Sequence, residues 1–123
     1  MLPRGDGQAL VGGGAMPASS SRREKIEALL ADDPRDTFLR YSLALELQKE
    51  GQQEQSLSRL NELIEDDPPY VPAFLMAGQQ LVQLGQHAQA REVFARGIAE
   101  AQSQGDQHAA EEMAGFAAQI PGG

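Results

Sequence analysis

The sequence predicts an all-α fold of about six helices stacked as antiparallel pairs, and two observations support this prediction. From Ser21 onward, apolar residues recur at helical spacing rather than alternating as they do in strands. Helix-breaking residues also recur with a fixed period, since Asp32-Asp33-Pro34 returns as Asp66-Asp67-Pro68 and Gly51 returns as Gly85 at the same offset. A helix-turn-helix unit repeated with a period of about 34 residues is typical of a stacked helical array.

Six apolar stripes at helical spacing mark the helices in chain order. The stripes consist of Ile26, Leu29 and Leu30; of Leu39, Leu43 and Leu47; of Leu57, Leu60 and Ile64; of Phe74, Leu81 and Leu84; of Val93, Phe94 and Ile98; and of Ala109, Met113, Phe116 and Ile120. Because the connections between stripes are short, we expect consecutive helices to pack as antiparallel neighbours.

Particular residue types mark the ends of these helices. Gly51 and Gly85 fall where the first helix of each pair must stop, and glycine adopts the left-handed conformation of a helix C-terminus at little cost. Asp36 and Asp106 precede helices that they can cap with a side-chain oxygen.

Small residues are placed where the two helices of a pair should approach closely. We expect Ala44 to lie against Ser56 in the first pair, and Gly78 against Ala90 in the second. Larger apolar side chains nearby then fill the remaining space.

These residues resemble the tetratricopeptide repeat family, whose pattern has Leu-Gly/Ala in helix A, Gly at the turn, Ala and Phe in helix B, and Pro at the end. Residues 37–70 and 71–104 resemble two full repeats, and residues 20–36 resemble helix B of an earlier one. Residues 105–120 resemble a terminal capping helix. The resemblance implies a right-handed superhelical stack of antiparallel helix pairs. The second repeat lacks the final proline, so we expect its helix B to run on toward Gln104 and end the array.

Composition disfavours several classes of function. Eighteen acidic against ten basic residues give a net charge of −8, the wrong sign for binding nucleic acid or an anionic membrane. No apolar run is long enough to span a bilayer. The chain has no cysteine, and His87 and His108 are isolated from each other in sequence, so we predict no metal site and no cofactor. No nucleophile motif is present, and we predict that the protein is not an enzyme.

The N-terminal segment has a different character. We expect residues 1–19 to be a disordered tail, because the segment that ends at Ser21 includes five glycines and two prolines. Its one apolar run, Ala9-Leu10-Val11, is too short for a secretion signal, so we expect a cytoplasmic protein. Met16 offers a second start, and the choice between Met1 and Met16 stays open.

The family resemblance implies a protein-binding groove on the concave face, lined by the first helix of each repeat. Carried over position by position, the groove residues are Phe38, Tyr41, Ser42, Leu45, Gln48, Lys49, Leu75, Met76, Gln79, Val82 and Gln83. Some family members grip a peptide's terminal carboxylate with Lys, Asn and Arg. The corresponding positions here hold Tyr41, Leu45, Met76, Asp106 and Ala110. We therefore expect an apolar or amphipathic segment of a protein or peptide as ligand, with Tyr41 and Met76 as anchors.

Two alternatives to ligand binding stay open for this stripe. It can be the contact face of a homodimer, in which case the protein is a self-associating structural unit. It can also be part of the core, or be covered by the flanking helix at residues 20–31.

Overall fold

The computed structural model describes residues 18–122, which form six helices and no strand. The helices are α1 (Ala18–Asp32), α2 (Thr37–Lys49), α3 (Gln53–Ile64), α4 (Val71–Gln83), α5 (His87–Ser103) and α6 (Gln107–Ala118). Each helix packs against the next along the chain, and α4 also contacts α6. The predicted all-α stack of helix pairs is therefore confirmed. The expected tail and both candidate start residues lie outside the described residues, except that the last two tail residues, 18 and 19, already belong to α1.

The helix ends are formed by the residues that the sequence marked. Gly51 and Gly85 have positive φ angles of 82° and 78°, and Gly105 repeats this conformation at 79° after α5. The Asp36 carboxylate accepts a hydrogen bond from the Leu39 amide at 2.8 Å. Asp106 caps α6 in the same way through the Ala109 amide at 3.1 Å. Each cap satisfies a backbone donor that the first turn of a helix leaves unpaired.

Glycines inside the helices allow neighbouring helices to approach closely. A Cβ atom on Gly78 would collide with the ring of Phe94, which is completely buried. A Cβ atom on Gly97 would lie 2.6 Å from both the Phe74 Cβ and the Met113 Sδ. The second repeat thus accommodates two phenylalanines because glycine stands opposite each of them.

A hydrogen-bonded polar chain crosses the core where α2, α3 and α4 meet. The Ser56 hydroxyl donates to the Ala44 carbonyl at 2.7 Å and accepts from the Gln80 amide nitrogen at 2.9 Å. Ser56 and Gln80 are both 0% exposed. The expected close approach of Ala44 and Ser56 is confirmed, and the hydroxyl also joins this pair to the following repeat.

The same two repeat positions form a second polar contact at the N-terminal end of the stack. Arg22 and Glu46 lie one repeat before Ser56 and Gln80, respectively. The Arg22 Nε lies 3.3 Å from the Glu46 Oε2, and the Lys49 Nζ lies 3.4 Å from the same oxygen. Glu46 is only 3% exposed, and its Oε1 has no hydrogen-bond partner within the described part of the chain. Equivalent repeat positions thus form an ion pair at the N-terminal end of the stack and a neutral hydrogen bond in the middle of the stack.

The C-terminal pair departs from the repeat pattern as expected. Helix α5 has 17 residues, compared with 12 for α3, and its C-cap is Gln104. Met113 and Ile120 are buried and Phe116 is half-buried, while Glu111 and Glu112 are exposed. The last helix therefore turns an apolar face inward and an acidic face to solvent.

Two stripe residues are exposed, whereas all the others are buried or half-buried. Leu29 on α1 is 54% exposed, and Leu84 after α4 is 41% exposed. Leu29 has no helix on its outer side among the described residues because α1 is the first helix there and packs chiefly against α2. Leu84 is the C-cap residue of α4 and lies beyond the helical face that packs on α3 and α5.

In the described range 18–122, no helix is both long and apolar enough to cross a membrane.

Candidate protein-binding surface

The predicted groove residues lie on two helices and are accessible to different degrees. Six of them are on α2 and five on α4. Phe38, Lys49 and Gln83 are exposed, and the other eight are half-buried. The structure does not bring all eleven into one depression: it divides most of them between two, one at each end of the stack.

The C-terminal depression lies between α4 and α6 and has a volume of about 340 Å³. Its lining residues are Gln79, Val82, Gln83, Phe94, Phe116, Gln119 and Ile120. The rings of Phe94 and Phe116 stack at 6.4 Å between centroids with an interplanar angle of 13°. The half-buried Phe116 ring provides an apolar floor that Val82 and Ile120 extend, and the buried Phe94 ring supports it from beneath.

The rim of the C-terminal depression is polar but uncharged. Gln79, Gln83 and Gln119 are its only polar lining residues in the described part of the chain. A glutamine side chain both donates and accepts hydrogen bonds, so it can pair with the N–H and C=O groups of a peptide backbone. An apolar floor with such a rim suits an apolar side chain and the backbone that carries it.

The N-terminal depression lies between α1 and α2 and has a volume of about 280 Å³. It contains four predicted groove residues together with side chains from α1. Its lining residues are Arg22, Ile26, Leu29, Phe38, Leu39, Ser42, Leu45, Glu46 and Lys49. Phe38 is 69% exposed, the largest exposed fraction among the large apolar residues of the described chain. This depression is therefore apolar inside and basic at its edge, where Arg22 and Lys49 are exposed.

The remaining predicted residues, Tyr41, Gln48, Leu75 and Met76, line neither depression. The ring of Tyr41 meets the ring of Tyr70 edge-on, with 5.3 Å between centroids and 68° between planes. Burial, and secondarily the neighbouring Tyr70, raises the pKa of the Tyr41 hydroxyl. Tyr41, Leu75 and Met76 also pack against the main core. The expected anchors Tyr41 and Met76 thus contribute to packing, whatever they bind.

None of the eleven predicted groove residues lies on or after α6, although Phe116, Gln119 and Ile120 form one wall of the C-terminal depression. The sequence feature that indicates this arrangement is the absence of the final proline from the second repeat. Because α5 is extended and Gly105 then turns the chain, α6 returns alongside α4 at a register that the repeat period does not predict.

A third depression of about 480 Å³ lies beside the connection between α3 and α4, and its lining includes the ion pair of Arg40 with Asp66. Arg40 contacts both carboxylate oxygens of Asp66, at 2.7 Å and 3.2 Å. These hydrogen bonds hold the pKa of Asp66 below its ordinary value. The carboxylate is therefore occupied structurally and is a poor proton acceptor. Within residues 18–122, no three His, Asp or Glu side chains come together as a metal site would require.

Comparisons with known proteins agree with the helical stack. No protein-family model matches the chain. The TPR repeat-containing protein PA0015 of Pseudomonas aeruginosa is 30% identical over 93 residues, covering 76% of this chain and 89% of that protein.

Two solution structures resemble the chain in fold and sequence. A tetratricopeptide repeat domain protein from Salinibacter ruber has a TM-score of 0.68 and 31% identity, covering 72% of this chain and 89% of that one. Protein BPP2914 from Bordetella parapertussis has a TM-score of 0.69 and 32% identity, with coverages of 80% and 85%. The repeat period, the stacked helix pairs and these relatives together show that the chain belongs to the tetratricopeptide repeat family.

Proposed function

We propose that the protein is a cytoplasmic, non-catalytic interaction module that binds an apolar or amphipathic segment of another protein in the C-terminal depression. The observation that supports this most directly is the composition of that depression. Val82, Phe116 and Ile120 offer an apolar floor above the buried Phe94 ring, and three glutamines surround it without any charge. Aromatic and aliphatic atoms in this depression are in contact with solvent. An apolar surface that is exposed in this way is typical of sites that bind a partner.

The ligand chemistry follows from the volume and the rim. A cavity of about 340 Å³ holds one or two large apolar side chains but not a whole helix. Gln79 and Gln83 lie four residues apart on α4, so their amides are one helical turn apart and can pair with successive backbone groups of the ligand. A short segment with closely spaced apolar residues and few charges fits this arrangement best. An uncharged rim also provides no counter-ion for a terminal carboxylate.

The test is selection of random dodecamer peptides, displayed on phage, on the immobilised full chain. We expect enriched peptides to carry two apolar residues, and a synthetic copy to bind with a dissociation constant on the order of micromolar. Val82→Ser should weaken that binding at least tenfold because it removes apolar floor. Val93→Ser is the matched control, since Val93 is also a half-buried valine packed on the core but does not line the depression.

Circular dichroism first establishes that both variants retain the helical content of the parent chain. Equal weakening by Val82→Ser and Val93→Ser would show that binding does not use the C-terminal depression. Enrichment of acidic peptides with no apolar residue would contradict the proposed ligand chemistry.

A further inference from the structure

The outer face of α1 is an unfinished packing surface. Leu29 occupies the repeat position that Leu63 occupies in α3 and Gly97 occupies in α5. Leu63 and Gly97 are buried, whereas Leu29 is 54% exposed. At this position Gly97 faces Phe74 of the helix that precedes α5, and among the described residues α1 has no preceding helix.

Phe38 extends this apolar surface across the junction of α1 and α2. Leu29 and Phe38 line the same N-terminal depression, and together they are the two most exposed large apolar side chains in the described chain. Ile26, Leu39 and Leu45 continue the depression inward. Contiguous apolar surface of this kind is normally covered by another helix or another molecule.

The charges along α1 indicate what covers it. Residues 25, 29 and 33 share one helical face because they are four apart, and the Asp33 amide still donates to the Leu29 carbonyl at 3.1 Å. This face therefore has Lys25 four residues before Leu29 and Asp33 four residues after it. Within the described residues neither Lys25 nor Asp33 takes part in an ion pair.

We propose that the outer face of α1 binds the same face of a second copy of this chain. When two α1 helices cross antiparallel at Leu29, Lys25 of each copy stands opposite Asp33 of the other. A two-fold interface of this type is self-complementary, since every contact occurs twice. Leu29 and Phe38 of both copies form the apolar centre, and the two Lys25–Asp33 pairs fix the antiparallel direction.

This dimer does not depend on the proposed function, because it leaves the C-terminal depression open in both copies. It also differs from self-association through the whole concave stripe, since it places only Phe38 of that stripe at its centre and leaves Tyr41, Leu75 and Met76 outside the contact. Only two exposed large apolar side chains of each copy form the centre of this contact, so we expect a weak dimer with a dissociation constant of about 10⁻⁵ M.

Sedimentation velocity of the full chain over a concentration series tests the proposal. The buffer contains about 0.15 M salt, which limits repulsion between two chains of net charge −8 to a Debye length of about 8 Å. Leu29→Asp should raise the dissociation constant at least tenfold. Leu84→Asp is the matched control, since Leu84 is also an exposed leucine but lies away from α1, and it should change the constant less than twofold.

Charge reversal tests the antiparallel register. Lys25→Glu and Asp33→Lys should each weaken the dimer several-fold by placing like charges opposite one another, and the double variant should restore it to within about twofold. A chain that stays monomeric up to about 1 mM, far above the expected dissociation constant, would overturn the proposal. Failure of the double variant to recover, or equal weakening by Leu29→Asp and Leu84→Asp, would also overturn it.

Discussion

Replacing Ser56 with alanine should destabilise the fold through the buried amide of Gln80. The Ser56 hydroxyl is the only hydrogen-bond partner of that amide within residues 18–122, because the Gln80 Oε1 is unpartnered. The Ala44 carbonyl loses only one of its two hydrogen bonds, because it lies inside α2 and still accepts the hydrogen bond of the helix. Leaving a buried donor unsatisfied costs about 1–3 kcal/mol, so we expect Ser56→Ala to lower the free energy of unfolding by about 2 kcal/mol.

Urea unfolding followed by circular dichroism at about 25 °C measures this loss, and a thermal scan should show a decrease in Tm of about 10 °C. Gln80→Leu removes the amide and its unpartnered oxygen together, and should stay within about 1 kcal/mol of the parent chain. In the Gln80→Leu background, Ser56→Ala should then cost at least about 1 kcal/mol less than it does alone. Ser58→Ala, at an exposed site on the same helix, should change stability by less than about 0.5 kcal/mol. An equal cost of Ser56→Ala in both backgrounds would refute the role of this hydroxyl as the partner of the Gln80 amide.

Three further predictions concern packing, capping and pH, and urea unfolding measures each. Gly97→Ala should cost about 1–3 kcal/mol because its Cβ would lie 2.6 Å from two buried side chains, whereas Gly115→Ala, which faces open space, should stabilise α6 by about 0.5–1 kcal/mol. Asp36→Ala should cost about 1 kcal/mol through loss of the α2 cap, and an unchanged midpoint would contradict that role. Because Arg40 holds the pKa of Asp66 below its ordinary value, the pair stabilises the folded state at neutral pH and this contribution is lost as the pH falls below about 4. Asp66→Asn should therefore lower stability by up to about 1 kcal/mol at pH 7 and by less at pH 3; an equal loss at both pH values would exclude the ion pair as the cause.

Most of the fold could be predicted from the sequence because its signals are local. The recurrence of Asp32-Asp33-Pro34 as Asp66-Asp67-Pro68 fixed where the helix pairs end. The caps at Asp36 and Asp106 involve only residues within the first turn of each helix. Such features depend on backbone geometry, and tertiary contacts do not override them.

The candidate surface was less predictable because it depends on contacts between distant parts of the chain. The wall formed by Phe116 and Ile120 arises from the length of α5 and the turn at Gly105, which shift α6 out of the repeat register. The exposure of Leu29 was missed for a related reason. Its spacing is that of a core residue, and only the arrangement of neighbouring helices shows that nothing among the described residues covers it.

The two polar contacts between helices also make the order of the repeats significant. The ion pair of Arg22 with Glu46 keeps part of its hydration, because the Arg22 side chain is 70% exposed and water still solvates the guanidinium group. The equivalent contact of Ser56 with Gln80 is completely buried. An ion pair at these two positions would lose its hydration. A gene rearranged so that residues 37–70 followed residues 71–104 would bring Ala90 opposite Glu46 and bury a carboxylate with no cation beside it from the preceding helix. The two repeats share one backbone plan but are not interchangeable modules, and duplication of either one would require a matching change in the helix before it.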